Sequence, residues 1–202
     1  VSHASAIPLG FAATDISVAK VWLPANAYGV ERATALTDAL LAGTTSTTAA
    51  AAATNLAPLD AGRFSRNVRR PDESAAANRT ADWQEVSPQF FDVLDIPIVA
   101  GRPITQPLGA NEAVVNEALA RALWREADPI GQSFITSNGR TFVVAAVARD
   151  ARLAALDEVL PTVFRVGVKD GPRDVPATAL TFVLRGAAAE AHESWRRTSM
   201  SA

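Results

Sequence analysis

A chain of 202 residues that is 49% hydrophobic and 20% charged has the balance of a folded globular protein and not of a disordered one, although alanine supplies much of the apolar share and buries little surface per residue. Nineteen basic residues against 21 acidic ones leave a formal net charge of -2, which provides no global field for nucleic acid or for an anionic membrane surface. The absence of cysteine excludes disulfides, thiolate metal sites and a cysteine nucleophile.

No basic and apolar leader pattern opens the chain, so any signal or first membrane helix is expected to lie outside this sequence. Ile16 to Leu23 is rich in β-branched and aromatic residues and is stopped by Pro24, which predicts a strand buried partly on both faces. Val30 to Leu41 carries Ala33, Leu36 and Leu40 at helical spacing, with Gly43 where a left-handed cap ends a helix. From Thr44 to Thr54 the threonines favour strand and five consecutive alanines favour helix, so propensity leaves this segment open. Asp60 to Thr80 is polar and aperiodic and holds Arg63, Arg66, Arg69 and Arg70 before Pro71, the pattern of a surface loop. Four arginines within eight positions also make it a candidate partner surface, although charge runs are commonly only solvated and no aromatics interleave for base stacking.

Ser87 and Pro88 read as a helix start, the hydroxyl capping free amides and proline taking the first position, with Phe90, Phe91 and Leu94 facing inward. Ile96 to Val99 and Ala113 to Val115 are extended, and Asn116 is the predicted N-cap of a helix over Glu117 to Arg125 whose core stripe is Leu119 and Leu123. Glu117 and Arg121 stand at the favourable four-residue spacing. Asp128, Pro129, Ile130 and Gly131 match a type I turn position by position. Phe134 to Thr136 and Thr141 to Ala148 flank Asn138-Gly139, a hairpin signal in which both turn residues tolerate positive φ. The longest apolar run, Phe142 to Ala148, has seven residues, against roughly 18 for a membrane span. Thr162 to Val166 and Ala179 to Leu184 read as strands, and Ala187 to Arg197 as a helix carrying Trp195.

Few residues propose chemistry. Ser17-Val18-Ala19-Lys20 has the S-x-x-K spacing of penicillin-interacting enzymes, but it lies in a strand-like run without the S-D-N and K-T-G companions. His3 and His192 stand one near each end, which argues against a histidine triad or a multi-histidine metal site. Asp82, Glu85, Asp92 and Asp95 are close in sequence but select no common face. Neither phosphate-cradling glycine motif occurs, and the Asn78-Arg79-Thr80 triplet is too common to carry weight. Arg102 after Gly101 is a candidate structural clamp, because its planar fork can join two segments, and Asp150 at the end of a buried strand is its candidate mate.

From Trp83 to Asp150 the phrases VSPQFFDVL, AGRP, VVNEALARALW, DPIGQ and FVVAAVARD follow in one order. Together they resemble the extracytoplasmic core domain of MacB/FtsX-like ABC-transporter permeases, and most of all the duplicated branch that lacks its own ATPase. The run from Val18 to Arg32, with LPANAYGVER, is similar to the family's first strand and helix, so the likeness covers roughly residues 11 to 186. Two departures stand out: Ala145-Ala146 replaces the usual Val-Gly, and the sequence ends after the Trp195 segment, before a further family strand.

The resemblance implies an α+β fold of two lobes, a porter-like lobe containing a βαβ unit from residues 1–80 and 151–202, and an inserted mixed α/β lobe from residues 81–150. It also implies that the segment left open by propensity returns as a strand toward Pro58 and Leu59. It implies a non-catalytic periplasmic domain of a bacterial inner-membrane permease that engages substrate or a partner protein in export, with motion carried by two lobes that shift against each other. The implied partners are the membrane helices of its own permease chain, a periplasmic adaptor or lipoprotein, and an ATPase subunit on the cytoplasmic side; no cofactor and no nucleic acid is expected. A free-standing exported ligand-binding or sensor module is the alternative and would need a concave pocket with convergent polar groups. A carboxylate hydrolase is disfavoured, since nucleophile, base and orienter are not jointly visible.

Overall fold

The computed structural model describes residues 8–22, 30–44, 49–60, 62–167 and 179–186. The predicted Ala187 to Arg197 helix with Trp195, and both histidines, lie outside them. In chain order the elements are β1 (Ile16–Trp22), α1 (Val30–Thr44), β2 (Ala49–Thr54), β3 (Ser65–Arg69), a 3-10 turn (Ala75–Ala77), β4 (Arg79–Val86), α2 (Phe90–Leu94), β5 (Ile98–Gly101), β6 (Glu112–Asn116), α3 (Glu117–Trp124), β7 (Ser133–Thr136), β8 (Thr141–Ala148), β9 (Thr162–Val166) and β10 (Ala179–Gly186).

β10 runs antiparallel to both β1 and β2, so β1 and β2 are parallel and α1 makes the crossover between them. The predicted βαβ unit is thus present with β10 inserted between its strands. β1 is covered on one face and not on both: Val18, Lys20 and Trp22 point to solvent. α1 continues through Gly43 to Thr44 instead of stopping at a glycine cap, a tolerable position because a glycine in the last turn interrupts little of the ladder. The alanine run is a strand. Ala52 meets the Phe90 and Leu94 cluster, while Ala51 packs with Leu184 and Leu41. Small side chains admit close packing on both sides, and these contacts override helical propensity.

The other strands close on themselves. β4 pairs with β3 on one edge and β9 on the other; β9 pairs with β6, β6 with β8, β8 with β7, and β7 returns to β3. The result is a ring of six strands, which removes the free edges a flat sheet would leave. β5 adds to β8 outside the ring. β2 joins the ring through one ladder pair, Thr54 with Val86. Predicted lobe boundaries at residues 80 and 150 cut through this ring, since its hydrogen bonds recruit β3 and β9. The Asp60 to Thr80 segment is likewise not a plain loop. β3 has strand alternation, with Val68 fully buried, and reads as loop only because its other inward residue, Arg66, is polar at the head and apolar along the stem.

Two cores follow from the two faces of the ring. Inside it lie Val68, Trp83, Val115, Phe134, Phe142 and Val163, with Leu119, Leu123 and Trp124 of α3 joining them. Outside it, α2 inserts Phe90, Phe91 and Leu94 between Ala52 and Val183 of the open sheet and Val114, Ala146, Phe164 and Val166 of the ring. Phe91 meets Phe164 edge to face at 5.2 Å and 73°. Burying each phenylalanine contributes about 2 kcal/mol. α2 starts at Phe90, and the Ser87 hydroxyl does not cap it. It accepts instead from the Ala53 amide at 3.1 Å, joining the open sheet to the ring.

Two turns differ from their predicted form. In the β7–β8 hairpin the Gly139 amide donates to Thr136 O at 2.8 Å and the Thr136 amide to Arg140 O at 2.9 Å. Gly139 has φ +81° and Asn138 does not share the positive φ, so the loop is the three-residue type in which glycine forms the bulge. After α3 the backbone hydrogen bond closes Pro129 to Gln132, one residue later than predicted, because the Asp128 carboxylate takes the Ile130 amide at 2.9 Å.

Gly101 explains the Ala-Gly-Arg phrase. Its φ is +84°, and a Cβ there would lie 2.4 Å from Ala145 O and 2.7 Å from Ala146 Cα, where β8 departs from regular register with β6. Gly101→Ala is expected to destabilise the domain by roughly 3 kcal/mol, combining left-handed strain with backbone overlap. Denaturant unfolding measures it, and a change below about 0.5 kcal/mol, the range of an ordinary surface substitution, would show that the close approach is not required.

Candidate functional site

The four predicted surface arginines serve separate contacts. Arg63 donates to Asp82 Oδ1 at 2.9 Å, and that carboxylate is buried. Arg66 lies 4.9 Å from the Phe64 ring and 5.2 Å from the Trp83 ring. Arg69 donates to the carbonyls of Arg70 and Glu73 at 3.2 and 2.7 Å. Arg70 gives its amide to Glu73 Oε2 at 3.0 Å, and its Nε is 3.3 Å from Asp72. They therefore do not form one solvated patch. Arg69 and Arg70 share a partner the sequence did not single out, Glu73, whose carboxylate also accepts two hydrogen bonds from Arg79, at 2.7 and 2.9 Å.

That fork holds the Glu73 carboxyl at about 2, chiefly through the Arg79 hydrogen bonds, with burial opposing and the Arg70 amide assisting. Because the folded value lies below the ordinary 4.5, the contribution to stability is complete above pH 4.5, declines as pH falls, and is gone below about pH 2. Glu73→Gln should lower stability at pH 7 by about 1 kcal/mol, given a pair near the surface. The gap to the parent should close on acidification toward pH 2. A gap that stays constant across this range would contradict the pairing.

Arg102 and Asp150 are not mates. Arg102 Nη2 pairs with Glu112 Oε2 at 2.6 Å, an oxygen that also accepts the Gly109 amide at 2.9 Å. Asp150 works at the start of α3: Oδ1 accepts the Ala118 amide at 2.8 Å, Oδ2 meets Arg121 at 2.6 Å, and the Asp150 amide donates to Glu117 Oε2 at 3.0 Å. Arg121 thus turns to Asp150 instead of pairing with Glu117 along the helix. A carboxylate here also suits the positive end of the helix. Asn116 caps as predicted, accepting from Leu119 N at 3.0 Å. Beyond capping, the same Oδ1 accepts Thr162 N at 2.8 Å and Nδ2 donates to Leu160 O at 2.9 Å, which ties β6, α3 and the approach to β9 together. Asn116→Ala should cost about 3 kcal/mol, a lost cap plus unsatisfied buried groups. Asn116→Asp, which cannot donate to Leu160 O, should recover only part of that in thermal unfolding; recovery of full parental stability would remove the bridging role.

The remaining candidates stay apart. Ser17 and Lys20 are three residues apart on β1, which puts them on opposite faces, and Lys20 pairs with Asp60 at 2.6 Å. Asp82 is held by Arg63, whereas Asp92 and Asp95 line an open cleft of ≈ 370 Å³ with Phe91, Pro97 and Ile104. Among the described residues no group of three or more His, Cys, Asp or Glu could hold a metal, and no helix is long and apolar enough to cross a membrane.

One buried cation escaped the sequence reading. Arg165 sits in β9, a strand buried along its whole length, with 2% of its surface exposed. Its guanidinium lies 4.7 Å from the Phe142 ring centre, and Nε and Nη1 lack hydrogen-bond partners. Burial lowers its pKa, as do the charges of Arg140 and Arg66, against the opposing pull of Glu85. A lone arginine in an otherwise apolar strand was the available signal.

The sequence profile of the MacB-like periplasmic core domain matches residues 6–164. The chain belongs to that family. Its fold is similar to the periplasmic region of MacB from Actinobacillus actinomycetemcomitans, with TM-score 0.58, 15% identity, and coverage of 96% of this chain and 86% of that one. It is also similar to the extracellular domain of the noncanonic ABC-type transporter YknZ from Gram-positive bacteria, with TM-score 0.56, 12% identity and 88% coverage of each chain. No curated protein matches the sequence. The fold is α+β, as in those domains, and the domain is of the extracytoplasmic kind that ABC-transporter permeases carry, beside membrane helices and an ATPase.

Proposed function

We propose that this domain is a non-catalytic rigid lever: it carries displacement of its permease's membrane helices outward to a site where substrate or a periplasmic adaptor or lipoprotein is engaged. ATP hydrolysis belongs to a separate cytoplasmic subunit. The supporting observation is the apolar cluster around α2, shared by the open sheet and the ring wall. A large apolar junction opposes independent motion of the two parts. Arg185 of β10 adds a bond to the Val93 carbonyl of α2 at 2.7 Å. Next to it, the Gly186 amide donates to Asp15 O at 3.1 Å, so β1 and β10 meet where this bond is made. A push on β1 or β10 thereby reaches α2 and then the ring.

The sequence has no cysteine, so spin labels can be placed at Val18→Cys on the open sheet and Val99→Cys on β5, both exposed. In the full-length permease complex, the distance between these labels should stay constant between nucleotide-free and ATP-trapped states. Distances from Val18 to a label on a membrane helix should change. An intradomain distance that shifts with nucleotide would replace the lever by a hinge, and no change at either pair would remove the coupling role.

A further inference from the structure

The six-stranded ring has two ends of opposite character. α3 leaves from the C-terminal end of β6 and contributes Leu119, Leu123 and Trp124 to the interior cluster, which makes that end apolar and closed. Toward the other end lie the N-terminal part of β3, the start of β8 and the C-terminal halves of β4 and β9. These positions carry Arg66, Arg140, Glu85 and Arg165. Glu85 and Arg165 are register partners on β4 and β9. Arg66 rests over Trp83 at 5.2 Å, while Arg140 and Arg165 lie 5.3 and 4.7 Å from the Phe142 ring centre. Trp83 and Phe142 are themselves in edge contact at 5.4 Å. Three guanidinium groups are thus gathered on one aromatic floor.

Burying such a group is costly unless its donors are paired. Yet Arg165 is 2% exposed with Nε and Nη1 unpartnered, and Arg66 Nε is also buried and unpartnered. One carboxylate, Glu85, opposes the three cations whose charges meet here. Arg66 and Arg140, unlike Arg165, are only half-buried, and both bring their charge close to it. Glu73, Glu112 and Asp150 are each paired, and Arg70, Arg152 and Arg185 each leave a single buried nitrogen unpartnered, but Arg165 leaves two, which meet the Nε of Arg66 at one mouth.

We infer that this mouth of the ring is a binding site for an oxyanion of carboxylate or phosphate chemistry, received by the Arg165 fork after the heads of Arg66 and Arg140 swing aside and close over it. Planar forks match both ligand types in bidentate geometry. The aromatic floor of Trp83 and Phe142 fixes the forks from below. This site is independent of the lever reading, and its failure would leave that reading intact.

The test is titration of the domain with citrate and, separately, with inorganic phosphate, against sodium chloride at equal ionic strength. Arginine Nε–H resonances and the thermal midpoint are followed. Expected is saturable binding with Kd on the order of 1 mM or tighter, a downfield shift of the Arg165 Nε–H, and a raised midpoint absent with chloride. Citrate alone binding assigns a carboxylate source; phosphate binding as well assigns a general oxyanion site, and either supports the proposal. Arg66→Gln with Arg140→Gln, both at half-exposed positions, should weaken binding at least tenfold, and Arg165→Met should abolish it. Arg121→Gln, away from the mouth, should bind as the parent does. No saturable shift with either anion, or unchanged affinity in the Arg66/Arg140 double variant, would overturn the proposal without requiring the Arg165 variant to fold.

Discussion

The insertion of one short helix between two strand systems is the constraint on which the rest of this domain depends. α2 is five residues long, too short to be stable by its own hydrogen bonds. Phe90, Phe91, Val93 and Leu94 are all buried, so it is held by what it fills. On one side it meets Ala52 and Val183, on the other Phe164, Val166 and Val114. Strand pairing between the same two systems consists of the single Thr54 and Val86 ladder pair, supplemented by Ser87 with Ala53 and Asn55 with Glu85. Apolar packing, more than the backbone ladder, therefore joins the open sheet to the ring.

Polar groups in this structure lock specific junctions. Asn116 satisfies helix start and neighbouring strand with one amide, Asp150 gives its amide to Glu117 and takes the Ala118 amide on its carboxylate across the same corner, and Glu112 joins Arg102 to Gly109. Each stands where a strand turns into a helix or loop, which is where backbone groups would otherwise lack partners. Against this background Arg165 stands out among the described residues in leaving two buried guanidinium nitrogens unpartnered, where Arg66, Arg70, Arg152 and Arg185 each leave one, and it sits at the end of the ring that α3 does not fill.

Much of the local structure was legible in the sequence. The hydrophobic stripe of α3, its Asn116 cap, and the strands β8, β9 and β10 follow from periodicity and turn chemistry. Ring closure was not legible, because β3 is short and its inward face alternates a valine with an arginine, a pattern that composition assigns to loop. The alanine strand β2 was ambiguous for the complementary reason: its preference comes from close neighbours on both faces, not from its own side chains. The mates of Arg102 and Asp150 were misassigned because Glu112 and Arg121 come close only once β6, β8 and α3 are stacked. The family phrases, by contrast, map onto particular physical needs: Gly101 onto a backbone approach, the Phe90-Phe91 pair onto the inserted helix, and Asn116 onto a shared cap.

Native-state hydrogen exchange of the domain under increasing denaturant addresses the unity of the fold most directly. If α2 fuses the two strand systems, the slowest amides of β2 and β10 should open with the same free energy and denaturant dependence as those of β4, β6 and β9. Exchange of β2 and β10 through a separate, lower-energy opening, while the ring stays protected, would contradict that fusion.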